Sequence, residues 1–343
     1  MKKILYAGVT AALGLFLTNA AFCGAPGDGK QLGIATYSVK GLETDIEGTF
    51  KALAEDGYKV MEISNYDANS GKVAGTYSPA DYAALASKYG LKILSSHVRA
   101  KFDVKDVPGS LAAWGKAFDD HKIMGAEYVI LPMNMWSGNF EGLKAECDLM
   151  NKIGEEANKR GIHFGYHNHH MEFATVAGTD QLYEDFLLQN TDPSKVIFQL
   201  DVYWITQGGQ DPVAYLKKYP KRFQLLHIKD DYVVGASGKI NYDAIFTQFY
   251  KNGMKNWFVE IEDKMTPEQR EQSMAMMNAM KDIQAKGGSM EDFMKEMMKN
   301  RPAGSPPPGF GPQDPAVMAQ KLKDSLEAIK ESADYLKNSK FVK

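Results

Sequence analysis

Between Gln31 and Ile261, short apolar runs rich in β-branched and aromatic residues alternate with longer amphipathic stretches, and the cycle repeats eight times. Such repetition leaves few options, because parallel strands need crossover helices and each unit must bury its apolar face against the next. The strand candidates are Leu32–Tyr37, Lys59–Ile63, Lys92–His97, Tyr128–Leu131, His163–His167, Val196–Asp201, Phe223–Ile228 and Trp257–Ile261. Helical stretches such as Thr44–Asp56, Pro79–Tyr89, Leu111–Met124 and Ala145–Arg160 lie between them, and three of these run into Gly57, Gly90 and Gly161. Glycine is the expected stop there, since it enters the left-handed conformation without a Cβ penalty. Eight cycles also suit an open doubly wound sheet, but such sheets usually begin with a glycine-rich phosphate turn, and none follows Tyr37. The pattern therefore predicts an α/β chain closed into a (β/α)8 barrel.

The flanking segments and the charge set further limits. Lys2 and Lys3 precede an apolar run from Ile4 to Leu17 and the small residues Asn19-Ala20-Ala21, which reads as an export signal too short to span a bilayer comfortably. Residues 1–25, roughly, are set aside as a signal peptide, and 26–343 are expected to form one barrel domain. The mature chain is expected to be exported, periplasmic and without a transmembrane span, and Phe22 before Cys23 argues against a lipid anchor on that cysteine. Cys147 is then the one certain cysteine, so stability rests on a packed core instead of a disulfide. Lys+Arg 40 against Asp+Glu 43 gives a formal net charge of -3, and no basic run is interleaved with aromatics, which argues against a nucleic-acid partner. A homodimer is left open.

After strand eight comes an insertion, residues 263–314. It is Met-rich and helical from Pro267 to Met298, then rich in proline and glycine from Pro302 to Gly309, before a last helix at about Pro315–Leu336. A loop leaving the end of a barrel strand sits on the catalytic face, so the insertion is either a lid or partner-binding arm, or a solvated decoration. Met274, Met277 and Met280 fall at helical spacing, which a packing stripe explains more simply than a thioether copper site.

Four consecutive strands end in groups that ligate metal. Strand five reads Phe164-Gly165-Tyr166-His167-Asn168-His169, strand six Phe198-Gln199-Leu200-Asp201, strand seven Leu225-Leu226-His227-Ile228-Lys229-Asp230 and strand eight Phe258-Val259-Glu260-Ile261-Glu262. Side chains alternate along a strand, so His167 with His169, Gln199 with Asp201, His227 with Lys229 and Glu260 with Glu262 share a face. With that face turned inward, His167, Asp201, His227 and Glu260 converge at one rim. A lone buried carboxylate is costly or shifts its pKa, whereas carboxylates and imidazoles around a divalent cation escape that penalty. Nitrogen and oxygen donors without thiolate suit Mn2+, Co2+, Zn2+ or Mg2+, with Mn2+ the first choice.

Each residue also has a duller role. A strand-end histidine is often only hydrogen-bonded, Asp201 can cap the helix that follows, and Glu260 or Glu262 can pair with a lysine. Four strand ends in succession favour the metal. Tyr37, Glu62, His97, Asn134, His169 and Trp204 are further rim candidates for shaping a sugar pocket. Glu62 can equally pair with Arg99, and Lys229 with Asp230 or Asp231 at the surface.

Tyr166-His167-Asn168-His169 with Glu172-Phe173, Gln199-Leu200-Asp201, Leu226-His227-Ile228-Lys229-Asp230 and Phe258-Val259-Glu260 carry a resemblance. On these segments the chain resembles the sugar phosphate isomerase/epimerase family with the xylose-isomerase-like TIM barrel, over nearly all of Gln31 to Ile261 plus the last helix. The resemblance implies a divalent cation, Mn2+ or a similar ion, held by ligands from strands five to eight, commonly Glu, Asp, His and Glu. Asp201, His227 and Glu260 would take three of these positions. His167 departs from the pattern, standing where ketose epimerases carry a glutamate that is both ligand and acid/base. In this the chain is similar to the inosose dehydratases and to the lyases or hydratases of 3-keto-sugars.

The expected activity is that of a metal-dependent sugar isomerase or epimerase on a free sugar or keto-sugar. The cation polarises a carbonyl, His167 or Glu260 removes the neighbouring proton to give an enediolate, and Lys229 binds a substrate oxygen or stabilises the developing charge. Reprotonation yields an epimer or isomer, whereas expulsion of a β-substituent makes the chain a lyase or hydratase on 3-keto-glycosides. Export favours a free or oxidised glycoside over a sugar phosphate. A non-catalytic exported carbohydrate-binding barrel is the alternative from another class. An abasic-site endonuclease on a related barrel needs a basic groove that the charge balance does not supply.

Overall fold

Eight parallel strands close on themselves in chain order: β1 Leu32–Ala35, β2 Tyr58–Ile63, β3 Lys92–His97, β4 Tyr128–Leu131, β5 His163–His167, β6 Val196–Asp201, β7 Phe223–Ile228 and β8 Asn256–Val259. Pairing of Ile34 with Val259 joins the last strand to the first, which excludes the open doubly wound sheet. This is a computed structural model that describes residues 30–286, 288, 292–295 and 314–343. The expected export segment and the proline- and glycine-rich stretch at 302–309 lie outside the described residues.

Helices begin where the chain supplies a cap. Asp45, Ser78, Asp106 and Asn139 accept a first-turn N–H from Gly48, Asp81, Gly109 and Gly142. Two starts therefore precede the expected ones: the helices run Val107–Met124 and Phe140–Asn158, because the cap lies ahead of the first amphipathic repeat. Gly57, Gly90 and Gly161 stop their helices as expected, at φ of 91°, 73° and 74°. Two strands end sooner than their apolar runs. Thr36–Ser38 turn into a 3-10 helix after β1, and β8 stops at Val259, although the Glu260 N–H still donates to the Ile228 carbonyl at 3.0 Å.

Inside the barrel, Ala35, Val60, Leu94, Ile130, Ile197, Leu225 and Phe258 pack into one buried cluster, each from a different strand. The remaining strand, β5, contributes Gly165. A Cβ there would lie 2.7 Å from Ile197 Cγ1 and 2.9 Å from Ile130 Cδ1, so its neighbours already fill the space. The larger apolar cluster lies between the strands and the surrounding helices. It is the usual two-shell core of a packed barrel, with no central pore.

His121, on the helix Val107–Met124, is fully buried, its Nδ1 2.6 Å from the Ala117 carbonyl and its ring 4.6 Å from that of Tyr66. Burial pushes its pKa down to about 4. The folded value thus lies below the unfolded one of about 6.5, so this contribution to stability is present above pH 6.5 and is lost as pH falls through 4. Urea melts at pH 7.5 and 4.5 are expected to differ by about 2–3 kcal/mol less in His121→Phe than in the parent protein. Equal acid losses in the two proteins would remove His121 from the account.

The insertion after β8 begins with a helix, Pro267–Ala285, started by a capping box between Thr266 and Gln269. It lies on the face formed by the C-terminal ends of the strands. Met280 packs with Met171 and Phe293 against Met133, Met135 and Ile283, whereas Met274 and Met277 are half-buried outside that cluster. His170 Nε2 donates to the Met277 carbonyl at 3.0 Å, and Arg270 donates to the Asp231 carbonyl at 2.7 Å. The segment is thus anchored to the loops after β4, β5 and β7.

Candidate active site

Two residues above the apolar layer, the same alternation produces a polar one: Glu62, His167, Gln199, His227 and Glu260 follow Val60, Gly165, Ile197, Leu225 and Phe258 on their strands. All five are buried. Two residues further on stand Ser64, His169, Asp201, Lys229 and Glu262. The apolar floor keeps water out from below, so hydrogen bonds in the polar layers are made in a low-dielectric setting and their direction matters.

Gln199 sets that direction. Its Nε2 donates to Glu62 Oε2 at 2.8 Å, which leaves Oε1 to accept from His97 Nε2 at 2.8 Å and from His167 Nδ1 at 3.0 Å. With Nδ1 carrying the hydrogen, His167 Nε2 presents a lone pair, and it lies 4.0 Å from Asp201 Oδ2. His227 Nε2 donates to Glu62 Oε1 at 2.5 Å, so the lone pair of the neutral ring is on Nδ1. That nitrogen is 2.8 Å from Glu260 Oε2 without the alignment of a hydrogen bond. A carboxylate that orients a histidine from behind is the usual support of a metal ligand.

Asp201 divides its two oxygens between jobs. Oδ1 accepts from the Tyr203 and Trp204 N–H groups and caps the helix Val202–Gln207, while Oδ2 is buried without a hydrogen-bond partner. Asp201, His227 and Glu260 each offer a ligand atom, and these atoms lie within 4.8 Å of one another. Burial pushes the Asp201 pKa up to about 7. Burial also opposes a charged His227, but Glu62 and Glu260 outweigh it and push its pKa up to about 10. Both shifts mark a demand for positive charge between these groups, and the residues fit a divalent cation there.

Lys229 is fully buried beside this group. It donates to Glu260 Oε1 at 2.6 Å and to Glu262 Oε1 at 2.5 Å, and its Nζ stands 4.8 Å from the centre of the Trp204 ring. Burial disfavours its charge, but Glu260 and Glu262 more than compensate and hold the pKa well above the ordinary lysine value. The surface pairing with Asp230 or Asp231 is therefore corrected. Asp230 accepts backbone N–H groups of Asp231 and Gly235, and Asp231 takes Lys239 and Arg270. On the far side of Glu262, the Tyr37 hydroxyl donates to Oε2 at 3.2 Å.

Above these groups opens a cavity of about 370 Å³, lined among others by Tyr37, Ser64, Arg99, His167, His169 and Glu262. Of the expected rim residues, Tyr37, His97 and His169 line it. Three do not. Glu62 is fully buried one layer below, where it holds His227, Gln199 and Ser95, so neither contact with a sugar nor the pairing with Arg99 is made. Trp204 lies behind Lys229, and the Asn134 N–H donates to the Tyr166 hydroxyl at 3.3 Å beside the cavity. Sequence reasoning missed the lining residues Ser64, Tyr66, Arg99 and Met133, noted Gln199 without a role, and gave Glu262 only a pairing with a lysine, which Lys229 supplies. The signal was available for two of them, since Ser64 and Arg99 stand two residues past Glu62 and His97.

The barrel, with its polar cluster at the C-terminal rim, defines a class, and comparison with known proteins gives the same one. The family described as xylose isomerase-like TIM barrel matches residues 50–280, and the chain belongs to that family. A sugar phosphate isomerase/epimerase from Parabacteroides distasonis is similar in sequence and structure, 30% identical, with a TM-score of 0.71 over 93% of this chain and 98% of that one. An inosose dehydratase from Clostridium beijerinckii is 27% identical over 191 residues, which are 49% of this chain and 62% of that relative's length. A 3-keto-D-glucoside 4-epimerase from E. coli superposes with a TM-score of 0.53 over 73% of this chain and 99% of that one; at 14% identity the likeness is one of fold.

Proposed function

We propose that the chain is a metal-dependent enzyme of sugars or keto-sugars that removes a proton next to a carbonyl. The observation that carries this reading is the set of directed ligand atoms: His167 Nε2, Asp201 Oδ2 and His227 Nδ1, which would exchange its proton for a cation, beside the Glu260 carboxylate, with both histidines oriented from behind by Gln199 and Glu62. A divalent cation held there, Mn2+ by first choice and Co2+, Zn2+ or Mg2+ by the same donor chemistry, supplies a Lewis acid that acidifies the proton beside a carbonyl.

The chain's own residues divide the remaining work. The sequence offers His167 or Glu260 as the base, but Glu260 stands among the ligand atoms and His167 Nε2 faces Asp201 Oδ2 at 4.0 Å. Glu262, which lines the cavity and contacts Lys229 and Tyr37, is left to take the proton. Lys229, kept charged between two carboxylates, supports the negative charge that develops on substrate oxygen. Return of the proton to a different face or carbon gives an epimer or isomer. Expulsion of a neighbouring substituent instead gives a lyase, and the similarity to inosose dehydratases supports that branch. We also propose that the protein works outside the cytoplasm, on the strength of the segment from Lys2 to Leu17.

The test pairs metal analysis of the purified protein with deuterium uptake from heavy water into free ketoses and 3-keto-glycosides. Near-stoichiometric Mn, Co or Zn and uptake into one substrate class is the expected result. Uptake confined to 3-keto-glycosides selects the lyase or hydratase branch, and uptake into simple ketoses selects the epimerase or isomerase branch. Neither metal nor uptake would overturn the reading and leave a barrel that binds carbohydrate without turning it over.

A further inference from the structure

We infer that Arg99 forms an oxyanion subsite on the lining of the cavity, so that the sugar bound there carries a carboxylate or phosphate substituent; the inference rests on the sugar-enzyme reading above. Arg99 follows β3, is exposed, and lines the cavity together with Ser64, Tyr66 and Met133. Among the described residues its guanidinium has no ion pair and no hydrogen bond. The other described arginines are all engaged. Arg160 reaches Asp119 and Glu156, Arg222 bonds Thr191 and the Leu188 carbonyl, and Arg270 holds Asp231.

The neighbouring acids are taken as well. Glu62 serves His227 and Gln199 beneath the cavity, Glu260 and Glu262 share Lys229, Asp120 accepts from Tyr66 and Lys116, and Asp106 pairs with Lys101. Arg99 therefore neutralises no carboxylate among the described residues. A guanidinium presents a rigid planar fork of donors that matches a carboxylate or phosphate in a two-point contact. Ser64 stands on the same lining, and its buried Oγ has no hydrogen-bond partner. Arg99 is not among the grouped ligand atoms, so it takes a substituent of the sugar other than the reacting carbonyl and sets which sugar is accepted.

The test is calorimetric titration of D-glucuronate, D-glucose 6-phosphate and neutral D-glucose into the Mn2+-loaded full chain and into its Arg99→Met variant. At least one anionic sugar is expected to bind about 10-fold or more tighter than glucose, and Arg99→Met is expected to erase that preference while leaving glucose unchanged. The ranking of glucuronate against the phosphate identifies which oxyanion the fork takes. Equal affinity for the three sugars, no binding of either anion, or a preference that survives in Arg99→Met would overturn the subsite. The readout is binding, so a negative deuterium-uptake experiment overturns the proposed chemistry without touching this result, and a negative titration leaves the chemistry standing.

Discussion

Asp201→Asn is expected to strip the protein of its divalent cation while leaving it folded. The substitution is close to isosteric, and asparagine caps a helix about as well as aspartate, so the N–H groups of Tyr203 and Trp204 keep their acceptor. What changes is the buried Oδ2, the oxygen without a hydrogen-bond partner, where a charged acceptor becomes a neutral amide. Outer-shell partners of a metal are worth roughly 10–100-fold in affinity, and a direct ligand exceeds that, so a loss beyond about 100-fold is expected. His227→Gln is the companion variant, because an amide can still donate to Glu62 and the carboxylate beneath is not abandoned. Elemental analysis after dialysis against a weak chelator reads both. Parent-like metal content in both, with unchanged melting curves, would remove the ligand group from the account.

Glu262→Gln is expected to separate chemistry from metal. Glu260 keeps its place among the ligand atoms and Lys229 keeps Glu260 as a partner, so metal content should match that of the parent. Deuterium uptake should fall by about 10²–10⁴-fold, the usual contribution of a positioned acid or base. Lys229→Met is the poorer probe. It leaves the buried Glu260 without its counter-charge, and breaking a buried pair costs about 3–5 kcal/mol, so lost activity would report lost structure. Unchanged uptake in Glu262→Gln would return the role of base to the ligand group and put the division of labour proposed here in error.

The barrel was legible because its strands are buried on both faces and its helices stop at glycines, two local signals that need no tertiary information. The ligand candidates were legible for a related reason: alternation along a strand ties His227 to Leu225 and Glu260 to Phe258, so knowing that a strand is inward-facing locates the rim. Height along the barrel axis was not legible. Glu62 and Tyr37 both stand near strand ends, yet Glu62 is sealed in the layer below the cavity whereas Tyr37 lies open above it, a difference set by strand stagger and closure. Roles that arise only between distant strands were equally hidden. Gln199 looks like any polar residue beside Asp201 until His97 and His167 are brought onto the same oxygen.

That shared amide makes the centre one-way. Ser95 and Gln199 donate into Glu62, His97 and His167 donate into the amide oxygen, and His227 also donates into Glu62, so none of these bonds can be reversed alone. An amide turned end over end would set N–H against N–H at the histidines and oxygen against carboxylate below. Substitutions at positions 62, 97, 199 and 227 should therefore be strongly epistatic, each harmful by itself and tolerated only in combinations that restore every donor to an acceptor. A lineage descending from such a centre would inherit it as a block, and its specificity would diversify first where no such constraint operates, in the side chains around the cavity mouth.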